Sequence, residues 1–302
     1  MDGVLVIDKP SGPTSHDVVD RARRALREKR IGHTGTLDPL ATGVLPLVIG
    51  RATRLASFLS SGHKAYDAQV RLGSVTATYD AAERRASGEP PPPAPAVTRA
   101  HVEMALEEFR GTYLQAPPPY SAKKIGGVAA YRLARRNTPA QPEPVTVTVS
   151  DLVLLALAEG VAHIRVTATA GFYVRSLAHD LGARLGCGAH LEALRRTRAG
   201  HFTLDDAVRL DVVEAEGAGA VARLIPLDSL LPDLPVICLN DRGVRRASHG
   251  NSVSSEDFEH PDHRVTVAIH TAQVRLTTVS GTLLAIASPA PGGLLRPAIV
   301  LV

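Results

Sequence analysis

The stretch GHTGTLDPLATGVL, residues 32–45, holds a single acidic side chain, Asp38. The proline after it biases Asp38 toward an extended conformation, and Gly32, Gly35 and Gly43 permit a tight loop close to a ligand. The carboxylate is therefore aimed by a loop rather than laid along a helix stripe. Capping its own turn is the ordinary role of such an Asp-Pro pair, but His33, Thr34 and Thr36 in the same stretch make this a candidate recognition or catalytic loop. A glycosidase needs two carboxylates across the scissile bond, and this loop supplies one. The Gly-Lys-Ser/Thr of a phosphate-binding P-loop is absent. One carboxylate without metal, thiol or second acid suits nucleophilic or general-base chemistry on a substrate that needs no external water, which describes a rearrangement better than a hydrolysis.

The elements around this loop can be read from spacing. GVLVIDKPSGPTS predicts a strand, a Lys-Pro turn and Ser15 as a helix N-cap. In the helix that follows, Val18, Val19, Ala22 and Leu26 recur at helical spacing, leaving Arg23, Arg24, Arg27 and Lys29 mostly on the other face. RATRLASFLSS (51–61) reads as a second short helix. KAYDAQVRLG (64–73) alternates as a strand with Tyr66, Ala68 and Val70 on one side. The proline run in RRASGEPPPPAPA (84–96) excludes regular structure there, because prolines supply no N–H groups. TRAHVEMALEEFRG (98–111) predicts a helix, PVTVTVSDLVLLALA and VAHIRVTATA two long strands, and Val174, Leu177, Leu181 and Leu185 a helix ending near GCG. From about Leu230 the segments VRRASHG, HRVTVAIH, AQVRLTTVSGTLLAIAS and LLRPAIVLV predict short strands and a small barrel-like appendix. The expected architecture is α+β, with domains over 1–230 and 231–302.

Length and composition agree: 302 residues suggest about two domains at roughly 100–200 residues each. With 44% hydrophobic and 21% charged residues, the chain reads as globular and neither disordered nor membrane-spanning. MDGVLVIDKP has acids and no basic region before its apolar run, so it reads as a strand rather than a secretory signal, and a cytoplasmic protein is expected. Cys187 and Cys238 are isolated and HPDH (260–263) sits in a turn-rich stretch, so neither a disulfide framework nor a metal site is predicted. The net charge of +4 lies wholly before residue 231, since residues 231–302 hold six basic and six acidic residues. Clusters at 21–30, 123–124, 135–136 and 195–198 would each be a solvated face if taken alone. Together, near the Asp38 loop, they suggest a polyanionic partner.

The motif GHTGTLDPLATGVLPLVIG closely resembles the catalytic motif of TruB-type tRNA pseudouridine synthases. DKPSGPTS, KAYDAQVRLG, PPPYSAKK (117–124) and AGFYVRSLAHDLGARLGCGAHLEALRRTRAG (170–200) resemble further motifs of that family, in order, over about the first 200 residues. The resemblance implies a pseudouridine synthase domain with a central mixed or antiparallel sheet, a small C-terminal PUA-like RNA-binding domain, and isomerisation of uridine 55 in the tRNA T loop, with no metal or cofactor. It implies Asp38 as the catalytic aspartate, Arg175 as the arginine that pairs with it and favours its ionised form, and Tyr66 as the tyrosine stacked on the flipped base. Tyr173 would be a second pocket tyrosine, and His33 would fill the space the base leaves. Lys64 lies on the Tyr66 motif as a substrate contact, Lys123 and Lys124 on an RNA-clamping insertion over about 115–144, and Arg195 and Arg196 are candidates for phosphate contact. The partner implied is the T-arm stem-loop of tRNA, bound by a monomer with no obligate protein partner and no membrane. The family often has Thr-Asp-Thr-x-Asp-x-x-Gly after the tyrosine strand, whereas TATYDAAE (76–83) has Ala77 and Glu83 in place of the first Asp and the Gly. That departure, with the basic clusters, motivates an alternative reading as a tRNA-binding or folding factor in which catalysis is lost or secondary.

Overall fold

A computed structural model of the chain describes residues 1–82, 88, 95–121, 142–260 and 273–302, and the backbone alone at 124–125 and 128–129. The expected strand HRVTVAIH, residue Lys123, most of the 115–144 insertion and the last three residues of HPDH lie outside the described residues.

In chain order the elements are β1 (Gly3–Lys9), α1 (Ser15–Leu26), β2 (Ile31–His33), β3 (Thr42–Ile49), α2 (Ala56–Ser60), β4 (Lys64–Leu72), α3 (Arg99–Glu107), β5 (Gly111–Gln115), the two-residue strands β6 (Lys124–Ile125) and β7 (Val128–Ala129), β8 (Val145–Ala158), β9 (Val161–Ala168), α4 (Val174–Arg184), β10 (Ala189–Ala199), β11 (Phe202–Thr203), β12 (Val208–Arg209), α5 (Leu210–Glu216), β13 (Ile225–Pro226), β14 (Val236–Cys238), α6 (Asp241–Ser248), β15 (Val274–Thr277), β16 (Leu283–Ala290) and β17 (Leu294–Val300). A large mixed sheet runs β12-β1-β3-β10-β4-β9-β8-β5, with β2 on β3, β11 on β10 and β13 on β1. A separate smaller sheet, β14-β15-β16-β17, carries the C-terminal residues. The α+β reading therefore holds. Among the described residues the appendix is a four-stranded path; the expected strand HRVTVAIH, on which the barrel-like reading partly rests, lies outside them.

Three local expectations are corrected. The N-cap of α1 is Thr14 rather than Ser15, because Thr14 and Asp17 form a reciprocal capping box: the Thr14 hydroxyl accepts from the Asp17 N–H at 3.1 Å, and the Asp17 carboxylate accepts from the Thr14 N–H at 2.8 Å. Residues 50–55 form a 3₁₀ segment before α2, so the short helix begins tighter than expected. VRRASHG is the C-terminal part of α6 and not a strand, capped by the Asn240 side chain, which accepts from the Gly243 N–H at 3.0 Å.

The core explains why β1 and β3 are almost uninterrupted apolar runs. Both of their faces are buried, so no alternation with polar residues is required. Leu5, Ile7, Leu45, Leu47 and Ile49 point into one core with Val18, Ala22 and Leu26 of α1 and Leu177 and Leu181 of α4. Val4, Val6, Val44 and Val48 point the opposite way, into a second core completed by Leu55, Phe202, Leu230, Leu283, Ile286 and Leu301. The smaller sheet is thus packed on the back of the larger one. Backbone carbonyls of Val300 and Leu301 accept from Arg54 and Arg51, which fastens the last strand to the same region. Among the described residues no helix is long and apolar enough to cross a membrane, and no cluster of three or more His, Cys, Asp or Glu is placed to hold a metal.

Candidate active site

Asp38 lies on the loop between β2 and β3, and four side chains from distant parts of the sequence fix that loop. Lys9, at the end of β1, is fully buried, and its ammonium donates to the carbonyls of Pro10, Pro39 and Ala41 at 2.9, 3.3 and 2.8 Å. Ser15, in the first turn of α1, donates to the Leu37 carbonyl at 3.0 Å and accepts from the Leu37 N–H at 2.8 Å. Arg196, in β10, donates to the carbonyls of Val44, Thr36 and Gly35 at 2.7, 3.3 and 3.0 Å. Arg175, in the first turn of α4, holds the carboxylate itself. The Ala41 N–H closes a turn on the Asp38 carbonyl at 3.0 Å, so the peptide groups around the Asp-Pro step are used within the loop.

The Arg175 Nη2 donates to Asp38 Oδ1 at 3.2 Å, and its Nε lies 2.9 Å from Oδ2, close enough for ion pairing but out of line for a hydrogen bond. The remaining guanidinium edge is occupied as well: Nη1 donates to the Thr78 carbonyl at 3.0 Å and Nη2 to the Tyr120 carbonyl at 2.9 Å. A second carboxylate, Asp80, stands 3.7 Å from Nη1. Two acids therefore share one cation, and exposure separates their roles. The side chain of Asp38 is 33% exposed, against 7% for Asp80 and 6% for Arg175. Only Asp38 can reach a substrate, while Asp80 holds the guanidinium from behind. The altered 76–83 stretch still builds this support through Thr78, whose hydroxyl donates to Asp80 Oδ1 at 2.9 Å.

Burial pushes the Asp38 carboxyl above the ordinary carboxylate range, with the charge of Asp80 adding to the rise and Arg175 and Lys9 opposing it. The expectation that the arginine leaves Asp38 readily ionised is thus met by a competing desolvation. Burial also lowers Lys9 to about 8, and it lowers His33, with Arg196 and His16 contributing. A carboxyl with a raised pKa beside a fixed cation is the kind of environment found around groups that exchange protons or bonds in a reaction.

The aromatic candidates gather around the loop. Tyr66 is buried on β4, opposite Arg196 in the β4–β10 ladder, and burial pushes its hydroxyl above the ordinary pKa while the nearby guanidinium opposes the rise. Tyr173 caps the start of α4; its N–H donates to the Gln115 side-chain oxygen at 2.8 Å, and its carbonyl accepts from the Gln115 amide nitrogen at 3.0 Å. Burial pushes the Tyr173 hydroxyl above its ordinary pKa, with Arg175 and Ser121 opposing the rise. His33 ends β2, where its Nδ1 accepts from the Gly35 N–H at 3.3 Å.

Two expected phosphate or substrate contacts are placed differently. Strand alternation turns Arg196 inward, and its guanidinium is taken up by the loop carbonyls, so it is a support for the loop rather than a phosphate ligand. Lys64 is also buried, its ammonium donating to the Ser60 and Gly62 carbonyls at the turn after α2, and its pKa is lowered to about 8 by that burial and by Arg196. Arg195 faces outward instead. It pairs with Asp8 at 2.9 Å and lines a cavity of about 360 Å³ with Arg21, Thr42 and Arg209. Lys124 is described only as backbone in β6. Sequence reasoning missed Lys9, Ser15 and Asp80. For the first two, the DKPSGPTS motif was the available signal.

The geometry meets a consistent set of likenesses. Residues 23–174 match the model of the TruB family pseudouridylate synthase N-terminal domain, and residues 175–232 match the tRNA pseudouridylate synthase B C-terminal domain. A protein of Solibacter usitatus named tRNA pseudouridine synthase B is 44% identical over 305 aligned residues, covering 100% of each chain. One of Opitutus terrae with the same name is 46% identical over 235, covering 78% of this chain and 96% of that one. Among solved structures, a Cbf5-Nop10-Gar1 complex contains a chain with a TM-score of 0.74 and 26% identity, matched over 99% of this chain and 85% of that one. The family model breaks between Val174 and Arg175, so its first part carries Asp38 and Tyr66 and its second part opens on the arginine that clamps Asp38. With full-length relatives above 40% identity, the chain belongs to the TruB family of pseudouridylate synthases.

Proposed function

We propose that this enzyme converts uridine 55 in the T loop of tRNA to pseudouridine, with Asp38 as its catalytic residue. The observation that carries the reading is the Asp38–Arg175 pair: one partly exposed carboxylate, fixed on its far side by a buried guanidinium. In the reaction the C1′–N1 bond of the uridine breaks, the uracil turns, and C5 bonds to C1′. C5 then loses its proton and N1 gains one. No water enters and no cofactor is consumed, so a single ionised carboxylate, acting as nucleophile or as base, suffices.

The target base must leave its stack, at a cost of a few kcal/mol. Tyr66 supplies a ring for the extruded base, and stacking of that kind contributes about 1–3 kcal/mol. The ring is buried on β4, so it is already placed before binding. Tyr173 lines the other side of the pocket, and His33 fills the gap in the RNA. Lys123 and Lys124 belong to the RNA-clamping insertion, and Arg195 meets the backbone at the outer rim. Residues 231–302 form a PUA-like unit whose balanced charge suits a secondary contact, and the enzyme acts as a cytoplasmic monomer.

The test is incubation of the purified protein with unmodified tRNA transcript, followed by mapping of pseudouridine. Product at position 55 with the wild type and none with Asp38→Asn is the expected result. An inert wild type, or product at other positions alone, would overturn it.

A further inference from the structure

We propose that Tyr79 and His179 are positioning residues for catalysis: their stacked rings set the direction in which the Thr78 carbonyl and Asp80 hold Arg175, and through it Asp38. The proposal rests on the functional reading above and goes beyond it.

The two rings lie nearly parallel, with centroids 3.9 Å apart and an interplanar angle of 6°. His179 follows Arg175 by four residues on α4, which puts both on the same helix face one turn apart. Its Nδ1 is buried with no hydrogen-bond partner among the described residues. The ring is therefore not placed there by a hydrogen bond at that nitrogen, and its face is what it offers. Tyr79 has φ +63, the left-handed region that a bulky side chain rarely adopts. Glycine is the residue usually found in that conformation, so the ring must supply something that offsets the strain.

What it supplies follows from the chain geometry. Rotation about the Tyr79 N–Cα bond relates the Tyr79 side chain to the Thr78–Tyr79 peptide plane. With the ring anchored on His179 and φ fixed, the Thr78 carbonyl has one direction left, and it points at Arg175 Nη1 from 3.0 Å. The next residue, Asp80, faces the same nitrogen at 3.7 Å. Beyond Tyr79 the loop is tied to Leu191, whose N–H donates to the Tyr79 carbonyl at 2.9 Å and whose carbonyl accepts from the Ala81 N–H at 2.9 Å. Those bonds fix the distal side of the loop; on the near side the Thr78–Tyr79 peptide is held by its N–H, which donates to the Thr76 carbonyl at 3.2 Å, and by the ring stack, which sets the side chain against that peptide. Neither ring is needed to touch the uridine for this role.

The experiment compares Tyr79→Gly, the conservative variant Tyr79→Phe, His179→Ala and the double variant Tyr79→Gly/His179→Ala with wild type. Single-turnover rate, tRNA affinity and Tm are measured for each. Glycine relieves the backbone and deletes the ring, so Tm is expected to hold or rise. The rate falls by about tenfold, as expected when a small displacement loosens a catalytic group, while affinity stays within about twofold. Tyr79→Phe retains the rate, because only the ring is required. His179→Ala shows the same loss, and the double variant is no slower than either single one, the non-additivity of two members of one contact. A Tyr79→Gly enzyme at wild-type rate overturns the proposal. So does a loss shared by Tyr79→Phe, or one that tracks a lowered Tm. Wild-type protein without turnover overturns the functional reading itself, and this proposal with it.

Discussion

Arg196 stands directly across the β4–β10 ladder from Tyr66, and its guanidinium donates to the carbonyls of Gly35, Thr36 and Val44. The strand that carries Tyr66 and the loop that carries Asp38 thus meet at the same buried cation. Replacing Arg196 with Met strands several carbonyls away from water, at about 1–3 kcal/mol for each buried group left unpaired. Urea denaturation is expected to show a loss of at least about 3 kcal/mol on that basis. Arg196→Lys should be less unstable yet still slow, because an ammonium cannot span the same acceptors.

Asp38→Asn separates chemistry from folding. Burial raises the Asp38 carboxyl, so its ionised form is held in the fold at a cost. A neutral amide that still accepts from Arg175 removes that cost, and Asp80 remains to balance the guanidinium. Melting temperature should therefore hold or rise, while pseudouridine formation falls by at least about 10³-fold, within the range for loss of a positioned acid–base or nucleophilic group.

The pH dependence follows from the same groups. A carboxyl whose folded pKa is raised contributes stability that is present below its unfolded pKa and is lost as pH rises through the folded one. Activity has the opposite sign, since it needs the ionised form. The single-turnover rate should fall as pH drops through a pKa above the ordinary carboxylate range. Asp80→Asn should move that acid limb to lower pH, because the Asp80 charge contributes to the rise. On the alkaline side, Lys9 deprotonates near 8 and withdraws its charge from Asp38, so a second decline is expected there. It should disappear in Lys9→Met, an enzyme slower at every pH.

Gly43 marks the one place where β3 and β10 run parallel, with Gly43 beside Arg196 in the register. A Cβ at this position would sit 2.2 Å from the Arg196 carbonyl oxygen, and φ is +99. Gly43→Ala must push the strands apart at the exit of the Asp38 loop. A loss of about 2–4 kcal/mol is expected for such combined overpacking and backbone strain, read as a lower urea midpoint together with a lower rate.

Asp38 could be singled out from its own loop, before a proline and among glycines and threonines, whereas Tyr66 and Arg175 came forward only through the resemblance of their motifs to the family. Less legible were residues whose role depends on what the fold buries. Arg196 reads as one more base in a basic run, and only the strand period and its partner across the ladder turn it inward. Asp80 stands at the second Asp of the family's Thr-Asp-Thr-x-Asp-x-x-Gly stretch, but nothing local announces that it will face an arginine 95 positions later. VRRASHG read as a strand, yet it continues a helix whose first turn holds Gly243. A Cβ there would meet the Asp257 carbonyl oxygen at 2.2 Å, so close packing, not helix propensity, chose the glycine.

The placement of Val4, Val6, Val44 and Val48 against Leu283, Ile286 and Leu301 has a thermodynamic consequence. The strand ending in Lys9 has no face of its own to show to water, so melting the C-terminal sheet would bare the back of the strand that anchors the Asp38 loop. Heating should give a single calorimetric endotherm rather than two. A fragment stopping at residue 230 should precipitate instead of surviving as a smaller enzyme, however complete its catalytic side chains.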